Sequence, residues 1–319
     1  MSRLTQSLSL LLGLQLLVTA AVFWPSEDAG DRDARSAILD LAIDRIDRIE
    51  VSDSNGSVVL SRTDSGWVLP DYFSLPVSAS RLDTVLQTLP AKTRGWPVAR
   101  SSGALERFEV SESNFQRRIR YRAGEDLAGE LYLGSSPGFR KVHSRPGDDE
   151  RVYAIEFSSY EVPASDAEWL EKTLLQLDAD ISEITGLDYH IEAAGDDSWK
   201  NADGVTAEAS VVSRLINGLA SLRVTAAADA ATTETLAQMD VPPTLSVATG
   251  SGRLEYRLFE MDDAHYVQRS DWPVFFSISA YDHDRLNDVN ADSLFPPADT
   301  ADAAESADSG AATPAADQG

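Results

Sequence analysis

The side chains of this chain that could do chemistry are dispersed along the sequence. Its four histidines, none in the His-Glu-x-x-His spacing of a zinc protease, are His143, His190, His265 and His283. The absence of cysteine excludes a lipoprotein anchor, a disulfide framework and thiolate ligands for structural zinc. We therefore expect no metal site and interpret each histidine as a surface or strand residue.

The densest group of possible metal ligands is Asp282-His283-Asp284. Neighbouring residues on a strand point to opposite faces, so on a strand these three side chains cannot converge on one ion. A Walker loop is missing, and Gly250-Ser-Gly252 continues without the further glycine that a dinucleotide loop requires. The sequence predicts a protein that is not an enzyme and carries no cofactor.

Two tryptophans precede proline and are the candidate contact residues: Trp96 before Pro97, and Trp272 before Pro273. Exposed rings at these positions could stack on a sugar or grip a partner. The plainer interpretation is packing at the edge of a core where a strand begins. Both interpretations stay open.

Charge limits the possible partners. The chain has 27 Lys and Arg against 52 Asp and Glu among its 319 residues, a formal net charge of -25. Such a field repels nucleic acid and anionic lipid headgroups. We expect no nucleic-acid partner and interpret the charge as a solvated acidic surface, with a specific acidic docking face as the alternative.

An apolar run near the N-terminus predicts the location of the protein. Leu8–Trp24 is just long enough to cross a hydrocarbon core, and Arg3 precedes it while acids follow it. This pattern predicts a signal-anchor helix within residues 1–25, a single pass through the cell inner membrane, and a periplasmic location for the bulk of the chain. Cleavage after Ala20 is the alternative, because Val18-Thr19-Ala20 suits signal peptidase.

The rest of the chain divides into four parts. Residues 26–37 predict a linker, and residues 297–319 form an acidic tail without a basic residue, which predicts disorder. Between them we predict two divergent α+β repeat domains, residues 38–178 and 179–296. Each is expected to contain a hairpin, a helix and then antiparallel strands.

The repeat is visible in matched segments. In the first copy, Asn55-Gly56 between two β-rich runs predicts a hairpin with a type I′ turn of positive φ, and Trp67 closes it. In the second copy, Trp199 holds the same place. A helical stripe follows in each copy, and then a short apolar segment and several strand-like runs. The stripes are Leu82, Val85, Leu86 and Leu89, and Val212, Leu215, Ile216 and Leu219; the segments are Leu105–Val110 and Leu236–Val241.

This order of elements resembles a known envelope family. The residues that carry the likeness are RVYAI (Arg151–Ile155) after LYLGSSPGFRKVHSRPG (Leu131–Gly147), with the Leu-x-x-Phe-x-Val segment before them. They resemble the family called domain of unknown function 4340 (DUF4340), over most of Ile46–Asn287. The resemblance implies a membrane anchor and an accessory role beside an ABC transporter of the gliding-motility type, with permease and ATPase subunits as partners.

A second function from a different class stays open. Duplicated domains commonly bind ligands in the groove between them. The alternative is therefore a freestanding envelope binding module for a glycan or peptide, with Trp96 and Trp272 as its contacts.

Overall fold

The computed structural model describes residues 12, 13, 15, 34–177, 180–195 and 198–297, and in this part the chain is α+β with antiparallel sheets. The predicted anchor, Leu8–Trp24, lies outside the described residues except for Leu12, Gly13 and Gln15, which are helical. No helix in the described part combines the length and apolarity that crossing a membrane requires.

The chain separates into two compact units. The first comprises Met1–Val68 and Ala79–Ser165, and the second comprises Leu69–Ser78 and Asp166–Gly319. The boundary predicted between 178 and 179 falls on residues outside the description and stays a prediction.

The first unit contains an antiparallel sheet. Its strands are β1 (Arg48–Ser52), β2 (Ser57–Thr63), β3 (Gly66–Leu69), β5 (Arg117–Ala123), β6 (Asp126–Leu133), β7 (Val142–Pro146) and β8 (Tyr153–Ile155). They lie in the order β3-β2-β1-β5-β6-β7-β8. The short strand β4 (Leu75–Pro76) belongs to the segment that clusters with the second unit.

The second unit contains an eight-stranded antiparallel sheet. Its strands are β9 (Ile181–Thr185), β10 (His190–Ala193), β11 (Trp199–Lys200), β12 (Val224–Ala227), β13 (Leu245–Thr249), β14 (Gly252–Met261), β15 (Ala264–Arg269) and β16 (Phe276–Ile278). Their order is β11-β10-β9-β13-β14-β15-β16-β12. Apart from β12, this order repeats that of the first unit. The neighbouring strands β9 and β13 take the place of β1 and β5.

The first hairpin shows why these residues form strands. Ile49 faces Leu60 across β1 and β2, Val51 faces Val58, and all four side chains are buried. This alternation with polar neighbours is the pattern of a sheet with one face in the core.

The turn of this hairpin differs from the prediction. Neither Asn55 nor Gly56 has a positive φ, so the type I′ turn is wrong. An Asp53 carboxylate oxygen instead accepts the N–H groups of Asn55 at 2.7 Å and Gly56 at 2.9 Å. This side chain closes a longer loop, which removes the need for left-handed backbone.

Among the described residues, one helix reaches 13 residues and the others are shorter. The helices are α1 (Ala79–Asp83), continued by a π-helical turn (Thr84–Thr88), α2 (Ser102–Arg107), α3 (Asp166–Trp169), α4 (Ala209–Ser221), α5 (Ala230–Ala237), α6 (Ala280–Asn287) and α7 (Ala291–Leu294). Turns of 3-10 helix lie at Ile43–Arg45 and Ser159–Glu161. The predicted stripes face inward, because Val85 and Leu89 in the first unit, and Val212, Leu215 and Leu219 in the second, are buried.

Each unit also has a small second apolar cluster, formed in part by the matched segments. In the first, Leu105, Phe108 and Val110 pack with Tyr132 and Val152. In the second, Leu236 and Val241 pack together with Ala228, Phe259 and Phe275. The segment at the end of α2 therefore has a counterpart at the end of α5.

Candidate interaction surface

The histidines do not build a metal site within the described residues, where no cluster of three metal-ligating side chains occurs. Two of them are nevertheless in contact, since the rings of His265 on β15 and His283 on α6 have centroids 4.5 Å apart. His283 is buried and its Nδ1 lies 3.3 Å from an Asp284 carboxylate oxygen. The two rings are inclined to each other by 33°.

The placement of Asp282-His283-Asp284 on a strand is wrong. These residues lie in α6, which begins after Ser279, whose hydroxyl accepts the N–H of Asp282 at 3.1 Å. A side chain that caps the first turn in this way fixes a helix start.

The strongest surface feature of the first unit is a pair of aromatic side chains in water. Phe139 is 91% exposed and Tyr160 is 85% exposed, more than any other large apolar or aromatic side chain among the described residues. Phe139 lies in the loop between β6 and β7, and Tyr160 in the 3-10 turn after β8. We name the basic–aromatic surface by its members, which are Lys92, Phe139, Arg140, Lys141, Phe157 and Tyr160.

Two clefts adjoin in this surface. One, of about 430 Å³, contains Lys92 and Phe139, and the other, of about 260 Å³, contains Gln116 and Tyr160. Their shared wall consists of Arg140, Lys141 and Phe157. The surface is thus concave on both sides of a cationic ridge.

Within the described residues, the side chains of Lys92, Arg140 and Lys141 form no ion pair with a carboxylate. Two carboxylates, Glu156 and Glu161, line the larger cleft. The charged residues that line the smaller cleft are both cations, Arg140 and Lys141.

The loop that presents Phe139 is fixed at its base. Gly134 is packed so closely that a Cβ there would lie 2.0 Å from the carbonyl oxygen of Phe108. The Ser135 N–H donates to that same carbonyl at 2.9 Å. At the tip, the Ser136 hydroxyl lies 2.8 Å from the Gly138 carbonyl and 2.7 Å from the Lys141 carbonyl. These contacts hold the loop in one conformation.

His143 supports the same loop from below. Its Nδ1 lies 3.1 Å from the Ser135 hydroxyl, and its ring contacts the ring of Phe108. Burial lowers the pKa of His143, a hydrogen bond with the Ser135 backbone raises it, and the nearby Arg107 lowers it further. The net lowering favours a neutral imidazole at neutral pH.

The stretch Gly134-Ser135-Ser136-Pro137-Gly138 spells Gly-x-Ser-x-Gly, the sequence pattern of a hydrolase nucleophile elbow. A hydrolase nucleophile elbow joins a strand to a helix, whereas this stretch joins two antiparallel strands. The central serine, Ser136, contacts backbone carbonyls, and the neighbouring histidine faces Ser135 instead. The stretch is therefore a structural turn.

The two candidate tryptophans have different surroundings. Trp96, in the first unit, is 62% exposed. Trp272, in the second unit, is half-buried and meets Phe276 edge-on with ring centroids 6.3 Å apart. Only Trp96 has the exposure that stacking on a ligand requires.

The chain belongs to the DUF4340 family, a domain of unknown function, whose model matches residues 67–241. This confirms the family resemblance, and the matched region includes every residue of the basic–aromatic surface. Neither the curated proteins nor the solved structures contain a match to this chain.

Proposed function

We propose that this protein is a non-enzymatic accessory component of an ABC transporter. In this proposal Leu8–Trp24 anchors it in the cytoplasmic membrane and the folded part stands on the periplasmic side. Permease and ATPase partners supply transport and ATP hydrolysis.

The observation that carries the proposal is the basic–aromatic surface. Large aromatic side chains that are almost fully exposed, as Phe139 and Tyr160 are, mark contact sites and are typical of interface hot spots. Their fixed loop limits the entropy lost on binding. The resemblance to transporter-associated envelope proteins supplies the class of partner.

The test is co-purification of a permease and an ATPase with the tagged full-length chain from neutral detergent, in matched amounts. The surface variant combines Phe139→Ser with Tyr160→Ser. Its matched control combines Leu187→Ser with Tyr281→Ser, two exposed side chains of the second unit. We expect the wild type and the control to retain both partners and the surface variant to lose them. Repeated recovery of the wild type as a lone species counts against the accessory role.

The alternative, a freestanding module that binds a glycan or peptide, is supported by the exposed ring of Trp96. Titration of the purified chain with soluble muropeptides tests it. Binding that Trp96→Ala abolishes, with an unchanged unfolding transition, would favour this alternative.

A further inference from the structure

We propose that the basic–aromatic surface binds an extended acidic peptide segment of its partner protein, a segment that also carries an apolar side chain. This inference rests on the proposed function and specifies the chemistry of the partner. Three properties of the surface support it: its charge, its shape and its rigidity.

Charge selects the acidic segment. The chain as a whole carries a net charge of -25, so an acidic peptide is repelled from most of its surface. Lys92, Arg140 and Lys141 can attract such a peptide locally, because none of them forms an ion pair with a carboxylate of the described residues. Complementary charge of this kind fixes where a partner lands and how fast it associates.

Shape selects an extended segment. The two clefts share Arg140, Lys141 and Phe157, so one peptide can pass over this ridge and place a side chain on each side. The exposed rings of Phe139 and Tyr160 offer apolar contact at opposite clefts. An apolar residue between acids therefore meets both requirements of the surface.

The fixed loop lowers the entropic cost of binding. Loop ordering is a large cost of association, and a loop that is already fixed avoids it. Gly134 and Ser135 hold the loop base against Phe108, and Ser136 closes the tip.

The same features argue against a lipid surface as the occupant. A planar anionic bilayer meets the whole acidic protein as well as the patch, and the larger cleft includes Glu156 and Glu161. A narrow peptide can avoid these charges, whereas a membrane cannot.

The experiment uses the full-length chain in nanodiscs of phosphatidylcholine. The probe is a short fluorescein-labelled peptide of alternating Glu pairs with single Phe and Leu residues, and its control has Gln for each Glu. Fluorescence anisotropy measures binding at about 50 mM and about 300 mM salt. The surface variant is Arg140→Glu with Lys141→Glu. The matched control is Lys200→Glu with Arg214→Glu, which makes the same change in net charge at two exposed positions of the second unit.

We expect the acidic peptide to bind the wild type and the matched control equally. The surface variant should lose at least about tenfold in affinity, and added salt should weaken wild-type binding. Equal binding of the Gln peptide, or equal affinity of the surface variant, overturns the inference. A lipid occupant would also overturn the inference. In that case the peptide fails to bind, the nanodiscs float with added phosphatidylglycerol vesicles, and the surface variant abolishes this flotation.

The failures of the two proposals can be told apart. If the peptide binds as expected but permease and ATPase never co-purify, the accessory role falls and the acidic-peptide site stands. If the transporter subunits co-purify equally with the Arg140→Glu, Lys141→Glu variant, the accessory role stands and the acidic-peptide site falls.

Discussion

The imidazole ring of His143 contacts the ring of Phe108, with the two centroids 4.2 Å apart and the ring planes inclined by 38°. This contact joins the end of α2 to the base of the loop that carries Phe139. Because burial and the neighbouring Arg107 lower the pKa of His143, the contact is made by the neutral ring.

Protonation of His143 should therefore loosen the first unit. Its pKa is lower in the folded state than the ordinary histidine value of 6.5, so the unfolded chain binds the proton more tightly. The stabilising contribution is complete above pH 6.5 and is lost as the pH falls through the folded pKa. Between about pH 7.5 and about pH 5, the free energy of unfolding should decrease more in the wild type than in His143→Asn. Parallel profiles of the two proteins in urea titrations would contradict this.

Asp149 should stabilise the fold through its charge. Burial raises the pKa of its carboxyl, but hydrogen bonds from Arg151 and Tyr153 outweigh this and bring the pKa to about 2. Asp149→Asn should cost about 2 kcal/mol at neutral pH, and this difference should vanish as the pH falls from about 4 towards 2. The control is Asp148→Asn, an exposed neighbour, which should change the stability by less than about 0.5 kcal/mol. Equal urea midpoints for both variants would refute the role of Asp149.

Gly134 should tolerate no side chain. A Cβ there meets backbone at 2.0 Å, whereas a Cβ at Gly138 in the same loop has nothing within 4 Å. Gly134→Ala should destabilise the protein by about 2 kcal/mol or more, and Gly138→Ala by less than about 0.5 kcal/mol. Thermal unfolding of the two variants measures the contrast. If they unfold at the same temperature, the close approach to Phe108 does not hold the loop.

Tyr72 should secure the edge strand β12. Its hydroxyl accepts the N–H of Ala227 at 2.7 Å and donates to the carbonyl of Ala227 at 3.2 Å. Tyr72→Phe removes both bonds, so we expect a loss of about 1–2 kcal/mol and faster amide exchange at Ala227. The exposed Tyr281→Phe is the control. An unchanged rate of amide exchange at Ala227 would show that β12 stays paired in the sheet without the Tyr72 hydroxyl.

The anchor makes a separate prediction. If Leu8–Trp24 is retained, the protein should stay with membranes through high-salt and carbonate washes, since burial of apolar residues in lipid involves no ionic contact that salt can screen. Release should require detergent. The intact mass decides the matter, because a mature chain that begins at Ala21 would mean cleavage after Ala20 and the loss of the anchored arrangement.

Local sequence patterns predict much of this fold, because hairpins and helices form between residues that are close in the sequence. The alternation around Ile49 and Val51 gives the first hairpin, and the stripe of Val212, Leu215 and Leu219 gives α4. The turn at Asn55 is wrong because the Asp53 carboxylate offers a competing closure. The helical start at Ser279 was recognisable, since Ser-x-x-Asp is a capping pattern.

The candidate surface was harder to predict. Phe139-Arg140-Lys141 follows a Gly-rich turn in a chain with only four lysines, and this is the signal that the sequence offers. The exposure of Phe139, however, depends on where the strands on either side of its loop end. Tyr160 belongs to the basic–aromatic surface but lies in a different turn. The contact of His265 with His283 is likewise set by the packing of α6 on β15, which no short pattern encodes.

The central strand pair of each sheet joins residues that are far apart in the chain. Val51 on β1 pairs with Ile119 on β5, and Ile184 on β9 pairs with Val247 on β13. Strands that are far apart in the sequence pair slowly. One edge of each early hairpin therefore stays unpaired until β5 or β13 has been synthesised. A nascent chain that stalls before β5 should be prone to association through this edge.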